Sequence, residues 1–460
     1  MKLAFMLPHA VVGHLHRLDP TVADRLRPSA DHCPELWAHL CTVAAELGQP
    51  AEHFVPLGLH GDGVPFNALR TRSLEVFSMN FPAAVGPAKA VRVPLTAVPK
   101  HMLAKGDDGT FQAICSILLW SFRHLALGIW PRRQHDGSPW PEGSPFSRLG
   151  GQALGFAGLL AEIRADWAWV KETLRLPGWR EKTGCCWLCK ATPVTMLEVS
   201  AEASWRHEEL TAEERLARVR ARGVTPCPLF SAPGVSPAVV LPDWLRCMDL
   251  GVAADILGNV FWMCLPRLPG TRKQRVTRLF QRIRDFYQAG HVAHKLGALT
   301  EKMIKMPDKP PKLRGKAAEV RAVVPFGKQF AGELLAGGDA QEEAARALAR
   351  QLANLYLLLE ARDPERMAAA SRKVAALYVE LAARAEPPCW RVKPKLHLMQ
   401  ELCERTVHLR GCPRDFWTYR DEDFGGAVAK SARRRGGRWS SLAVSSRVLQ
   451  RFMCRHALQL

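Results

Sequence analysis

The chain has no Gly-x-Ser-x-Gly, no P-loop and no Gly-x-Gly-x-x-Gly in a strand-to-helix setting. An ATPase and a Rossmann dehydrogenase are thereby set aside, and no nucleotide cofactor is expected. No apolar stretch reaches the uninterrupted length of a membrane span, so no membrane partner is expected. The opening Leu3-Ala-Phe-Met-Leu7 is broken by Pro8 and His9, with no small-residue cleavage site after it. No internal repeat is present. Acids are in deficit, 44 against 64 lysines and arginines, which leaves a formal charge of +20. Such a field attracts anions, nucleic acid first among them. Cysteine is not scarce, at 13, but it forms no regular disulfide framework. Cys41, Cys115 and Cys264 sit singly in apolar stretches, as small core residues of a reducing compartment do.

What is present is a chain of 460 residues, 47% hydrophobic, enough for a substantial core. Residues 1–50 read as helical, with apolar side chains at helical spacing from Pro34 to Leu47 and a stop at Gly48. Phe54 to Leu59, Leu74 to Asn80 and Ala90 to Leu95 read as an antiparallel meander, and Phe111 to Trp130 as a long apolar helix. Three strands and a helix, with an acid (Asp62) where the first strand meets His60-Gly61-Asp62-Gly63, match the opening of an RNase H-like fold. We therefore expect an α/β protein with an RNase H-like core, a mixed sheet with helices, interrupted by a cysteine-containing insertion and a large all-α insertion. The expected organisation is an N-terminal helical segment (1–50), the first part of the core (51–149), the cysteine-containing insertion (150–237), the second part of the core (238–268), the helical insertion (269–390), and the final part with a basic C-terminal helix (391–460). Lys305 to Lys316 reads as a basic, proline-rich linker.

Three acidic positions stand apart: Asp62, the pair in Asp243-Trp-Leu-Arg-Cys-Met-Asp249, and Glu422 in Asp421-Glu422-Asp423. Carboxylates distant in sequence but gathered in space suit divalent cations, which take oxygen ligands, and two-metal phosphoryl transfer places two ions ~4 Å apart. Each also has a plain structural reading: a turn residue, a helix N-cap, a first-turn acid favoured by the helix dipole. Cys186-x-x-Cys189 is half of a zinc site, and His207 and Cys227 are candidates for the other half. His291, His294 and His397 read as packing or surface residues. Arg433, Arg434, Arg435 and Arg438 form the densest basic cluster, suited to DNA contact, to nuclear import or to a solvated tail.

Taken in order, Leu59-His60-Gly61-Asp62-Gly63, Cys186-Trp187-Leu188-Cys189, Asp243 to Asp249, Pro394-Lys-Leu-His397 and Trp417-x-Tyr419-x-Asp421-Glu422-Asp423 resemble transposase-like proteins of DNA transposons, of the CACTA (En/Spm-like) type with a DDE RNase H-like core. The resemblance implies catalytic and metal-binding roles for Asp62, Asp249 (or Asp243) and Glu422, with Mg²⁺ or Mn²⁺ as cofactor beside a structural Zn²⁺. It implies cleavage and rejoining of phosphodiester bonds at transposon ends, DNA as partner, a homo-oligomer as a further partner, and residence in the nucleus. Arg246 stands where that family commonly has a histidine. Two rival readings remain: a catalytically inactive transposon-derived protein that binds DNA or chromatin, and an unrelated helical interaction protein.

Overall fold

The computed structural model describes residues 3–67, 71–182, 184–386, 388–433 and 443–455. It is an α/β protein, 55% helical, around one five-stranded mixed sheet. The strands are β1 (Phe54–Pro65), β2 (Ser73–Asn80), β3 (Arg92–Pro99), β4 (Ala157–Ala165) and β5 (Val240–Leu241), in spatial order β3-β2-β1-β4-β5. The first three form the expected antiparallel meander, while β4 runs parallel to β1 and β5 parallel to β4.

Helices α1 (Pro8–Leu18) and α2 (Pro34–Glu46) precede the sheet, with a short one at Val22–Leu26 between them, and α3 (Thr110–Leu127) links β3 to β4 and packs against β4. Helix α3 stops at Gly128, whose φ of 66° is a left-handed cap. After β4 comes the short α4 (Trp167–Thr173). Beyond β5 the backbone enters a π-helical turn, Leu245–Val252, that continues directly as α5 (Ala253–Cys264). Then follow α6 (Arg272–Gly290), α7 (Ala317–Leu334), α8 (Ala340–Ala361), α9 (Pro364–Arg384) and α10 (Pro394–Gln400). Helix α11 (Tyr419–Ala432) returns to pack on β1 and β2, and α12 (Val444–Arg455) packs on β3.

Four expectations change. Strand β4 lies within residues 150–237, the stretch read as an insertion: it is buried on both faces, yet its second half carries the charged Glu162 and Arg164, so it shows no clean apolar run. The glycines around Asp62 do not end β1, which runs on to Pro65. Gly61 is needed because a Cβ there would lie 2.0 Å from the ring of Trp169, which packs across the strand. The basic segment Lys305 to Lys316 is pinned rather than loose: Leu313 N donates to Ala254 O at 2.8 Å, and a Cβ on Gly258 would meet the Lys312 backbone at 2.2 Å. Finally, Leu245–Arg267 is long and apolar enough to cross a membrane, but 83% of its apolar window is buried in the fold, where it packs on α7 and α8.

Candidate functional site

The register of β1 and β4 sets the site. His60 pairs with Arg164 and Gly61 with Ala165, so the next residue on each chain is an aspartate, Asp62 and Asp166. Adjacent strands lie about 4.8 Å apart, and both side chains emerge on one face. Asp166 keeps an extended backbone, and its Oδ1 caps α4 by accepting from Trp169 N at 2.7 Å.

A third carboxylate arrives from α11. That helix is fixed to the sheet by Asp421, whose Oδ1 accepts from Arg92 Nε at 2.7 Å and from Arg164 Nη2 at 3.2 Å, all three side chains being buried. Asp421 is held below the usual carboxylate range: burial opposes ionisation, but Arg164, His60 and Arg92 outweigh it. Glu422, one residue on, turns toward Asp62. One nitrogen, Nη2 of Arg246, reaches both, at 3.2 Å from Asp62 Oδ2 and 2.8 Å from Glu422 Oε1. Burial pushes the Asp62 carboxyl up to about 7, with Arg246 opposing and the charges of Asp166 and Glu422 adding to the rise. Two acids on one guanidinium, with the charge of Asp166 nearby, form a crowded anionic site.

Asp243 and Asp249 are committed elsewhere. Asp243, buried after β5, accepts from Leu245 N, Arg246 N and both Thr418 N and Thr418 Oγ1, so every lone pair it offers holds the start of the π-turn to the start of α11. Asp249 is fully buried within that turn. Its two oxygens accept the hydroxyls of Tyr356 and of Tyr419, the latter at 2.7 Å, and burial pushes its carboxyl up to about 7. Neither aspartate pairs with the Arg246 guanidinium, although Asp243 holds the Arg246 backbone N–H. Asp166, whose charge acts on both Asp62 and Arg246, was missed because the sequence around it reads as a small, apolar, tryptophan-rich insertion. The usable signal was an acid at the end of an apolar run, followed by a helix.

A second group is wholly buried. Cys186, Cys189, His397 and Glu401 each present one donor atom, and these lie within 4.8 Å of one another. Cys189 Sγ is 3.4 Å from His397 Nε2, and Glu401 Oε1 is 3.5 Å from the same nitrogen. His397 and Glu401 stand four residues apart across the junction of α10 with a second π-helical turn, Glu401–Thr406, so they share one face. Trp205 lies edge-on to the imidazole at 4.5 Å, and Arg405 Nη1 holds the outer Glu401 oxygen at 2.5 Å. Burial pushes Glu401 up to about 7. This cluster can hold a metal ion. The expected partners do not take part: His207 is exposed, and Cys227 is buried against Cys115, with which it shares a hydrogen bond that raises the Cys115 thiol. The sequence signal for His397 and Glu401 was their x-x-x spacing on an apolar helix.

Of the basic cluster, Arg433 ends α11, while Arg434, Arg435 and Arg438 lie outside the described residues. Comparison with protein-family models and with curated proteins finds no match to this chain.

Proposed function

We propose that this chain is a DDE-type, metal-dependent nuclease and strand-transfer enzyme of the transposase kind, acting on DNA, with Asp62, Asp166 and Glu422 as its three acids. The observation that carries the reading is the placement of these acids: Asp62 on β1 and Asp166 just after its parallel neighbour β4, and Glu422 on a late helix, with Arg246 bridging Asp62 and Glu422. The strand order β3-β2-β1-β4-β5, with β2 antiparallel to both its neighbours and a helix between β3 and β4, supports an RNase H-like core. On that reading the helical residues between β5 and α11 are an insertion, and Asp166 replaces Asp249 as the second acid.

The donor set fits Mg²⁺ or Mn²⁺: three carboxylates, half-buried, with a protein cation already bridging two of them. Such ions, when bound, activate a nucleophile and stabilise the departing oxygen of an in-line displacement. The chain's own residues hold the acids rigidly. The Asp421–Arg92–Arg164 network anchors α11, Trp169 locks α4 over Gly61, and Asp243 clasps Thr418. Arg246 limits the repulsion among the acids and offers further N–H groups to a phosphate. The buried Cys186, Cys189, His397 and Glu401 set, closed and rich in sulfur, fits a structural Zn²⁺.

The test is cleavage of DNA carrying candidate transposon ends with Mg²⁺ or Mn²⁺. Asp166→Asn should abolish it while Asp249→Asn, corrected for folded protein, should not. Cleavage that survives Asp166→Asn overturns the assignment. Tight DNA binding with no cleavage under any divalent cation would point to the inactive, DNA-binding reading.

A further inference from the structure

Beside the acids the surface opens into two connected hollows. The first, about 240 Å³, is walled by Asp166, Arg246, Trp167 and Trp179. The second, about 760 Å³, shares Trp167, Trp179 and Lys395 with it and leads away from the acids. Its wall carries Arg180, Lys309, Lys312, Arg314, Arg391 and Lys393. Two carboxylates lie there, Asp255 and Asp308. Asp255 is already taken by Lys393 at 2.7 Å and Lys312 at 3.7 Å. Among the described residues no ion pair engages Arg180, Lys309, Arg314 or Arg391, so the cleft keeps a surplus of positive charge.

The cleft is also built. Arg314 donates to the carbonyls of Lys302 and Lys312 at 3.1 Å, and the backbone of residues 312 and 313 is pinned against α5. Trp167, the residue after Asp166, has its indole N–H fixed on Pro177 O at 3.1 Å and meets Trp179 edge-on at 5.8 Å. Trp179 itself is 40% exposed, a large aromatic surface left at the mouth of a cationic groove. Free cations that track phosphates, combined with an exposed aromatic on which a base can stack, are the two components of single-strand binding. A base stacked on that ring must be unpaired.

We propose that this cleft binds a single-stranded polynucleotide, with a base stacked on Trp179 and the backbone running over Arg180, Arg314 and Arg391, so that the strand leaving the acid site is held unpaired. The inference rests on the reading of Asp62, Asp166 and Glu422 as a phosphodiester site, since that site supplies the strand's direction.

The experiment uses the full chain and a labelled twelve-nucleotide oligo-dT, read by fluorescence anisotropy, with dTMP and a duplex of equal length as competitors. Trp179→Ala should weaken oligo-dT binding about tenfold. The double variant Arg180→Glu/Arg391→Glu should flatten the slope of log K against log salt by about 1.4 units, two contacts at about 0.7 each for single strands. Both sites are exposed at the cleft mouth, and an unchanged thermal midpoint verifies folding. Wild-type affinity in both variants overturns the proposal, as does dTMP competing as well as the oligonucleotide, which would make the cleft a mononucleotide site. Asp166→Asn separates the two readings: loss of cleavage with oligo-dT binding intact supports both. Cleavage that survives Asp166→Asn, with binding still dependent on Trp179, leaves the cleft standing and removes the acid site.

Discussion

The two clusters of donor groups in this protein are built on opposite terms. Cys186, Cys189, His397 and Glu401 are buried, mix sulfur and nitrogen with one oxygen, and leave no open direction. Asp62, Asp166 and Glu422 are all oxygen, and the side chains of Asp62 and Glu422 keep 16% and 36% of their surface exposed around Arg246. A closed set of soft ligands can hold an ion but cannot offer it to a substrate. An open set of hard ligands can offer an ion but holds the fold together weakly. Ligand chemistry and access thus set apart a closed donor set from an open one within one chain.

The comparison breaks most visibly if the closed set is emptied. Cys189→Ser, or stripping metal with a strong chelator, should lower the thermal midpoint by about 5–10 °C, read by calorimetry, because metal affinity in a buried site is folding free energy. A midpoint unmoved by either treatment would mean that the thiols are core residues only. The open set should respond the other way. Glu422→Gln should cost at least about a hundredfold in cleavage rate, yet shift the midpoint by no more than about 2 °C. A third variant sharpens the contrast between acids: Asp249→Asn leaves Tyr356 or Tyr419 with a poorer acceptor and should destabilise by about 1–3 kcal/mol in urea titration, with cleavage per folded molecule unchanged.

A pH dependence is expected from a group outside both clusters. His9 is buried against Ser121, and burial, aided by the nearby His124, lowers its pKa to about 3. The fold therefore prefers the neutral ring. Above the ordinary pKa of 6.5 this costs nothing; as pH falls below it the unfolded chain takes up a proton that the folded chain refuses, so stability is lost progressively toward pH 3. Wild type should lose up to about 1.4 kcal/mol per pH unit more than His9→Gln over that range. Parallel curves for the two proteins would contradict it.

The meander and α3 were legible because short apolar runs separated by Gly, Pro and Asn turn signals read as strands and a long apolar helix keeps its period. Strand β4 was not, since Glu162 and Arg164 interrupt its apolar run and the tryptophans and cysteines after it suggested an insertion, and with it went Asp166, the acid that follows the strand. Asp249 drew notice for its spacing, but spacing cannot reveal two tyrosine hydroxyls brought in from residues 356 and 419. Cys186 and Cys189 were legible as a pair. Their partners come from more than two hundred residues away in sequence, where a histidine and a glutamate four apart look like any surface turn until the fold buries them.

The clasp between Asp243 and Thr418 has a kinetic consequence. It joins residues 175 positions apart, so the helical block leaves the sheet and re-enters it at one point, like a handle on a cup. Closing so long a loop carries an entropic barrier that grows with the logarithm of its length, and long-range closures are slow steps in folding. Glu422 lies beyond the clasp, whereas Asp62 and Asp166 lie before it. During refolding the sheet and its two aspartates therefore form first and the trio is completed last, so the recovery of cleavage should lag behind the recovery of secondary structure. A short linker replacing the handle would shorten that lag.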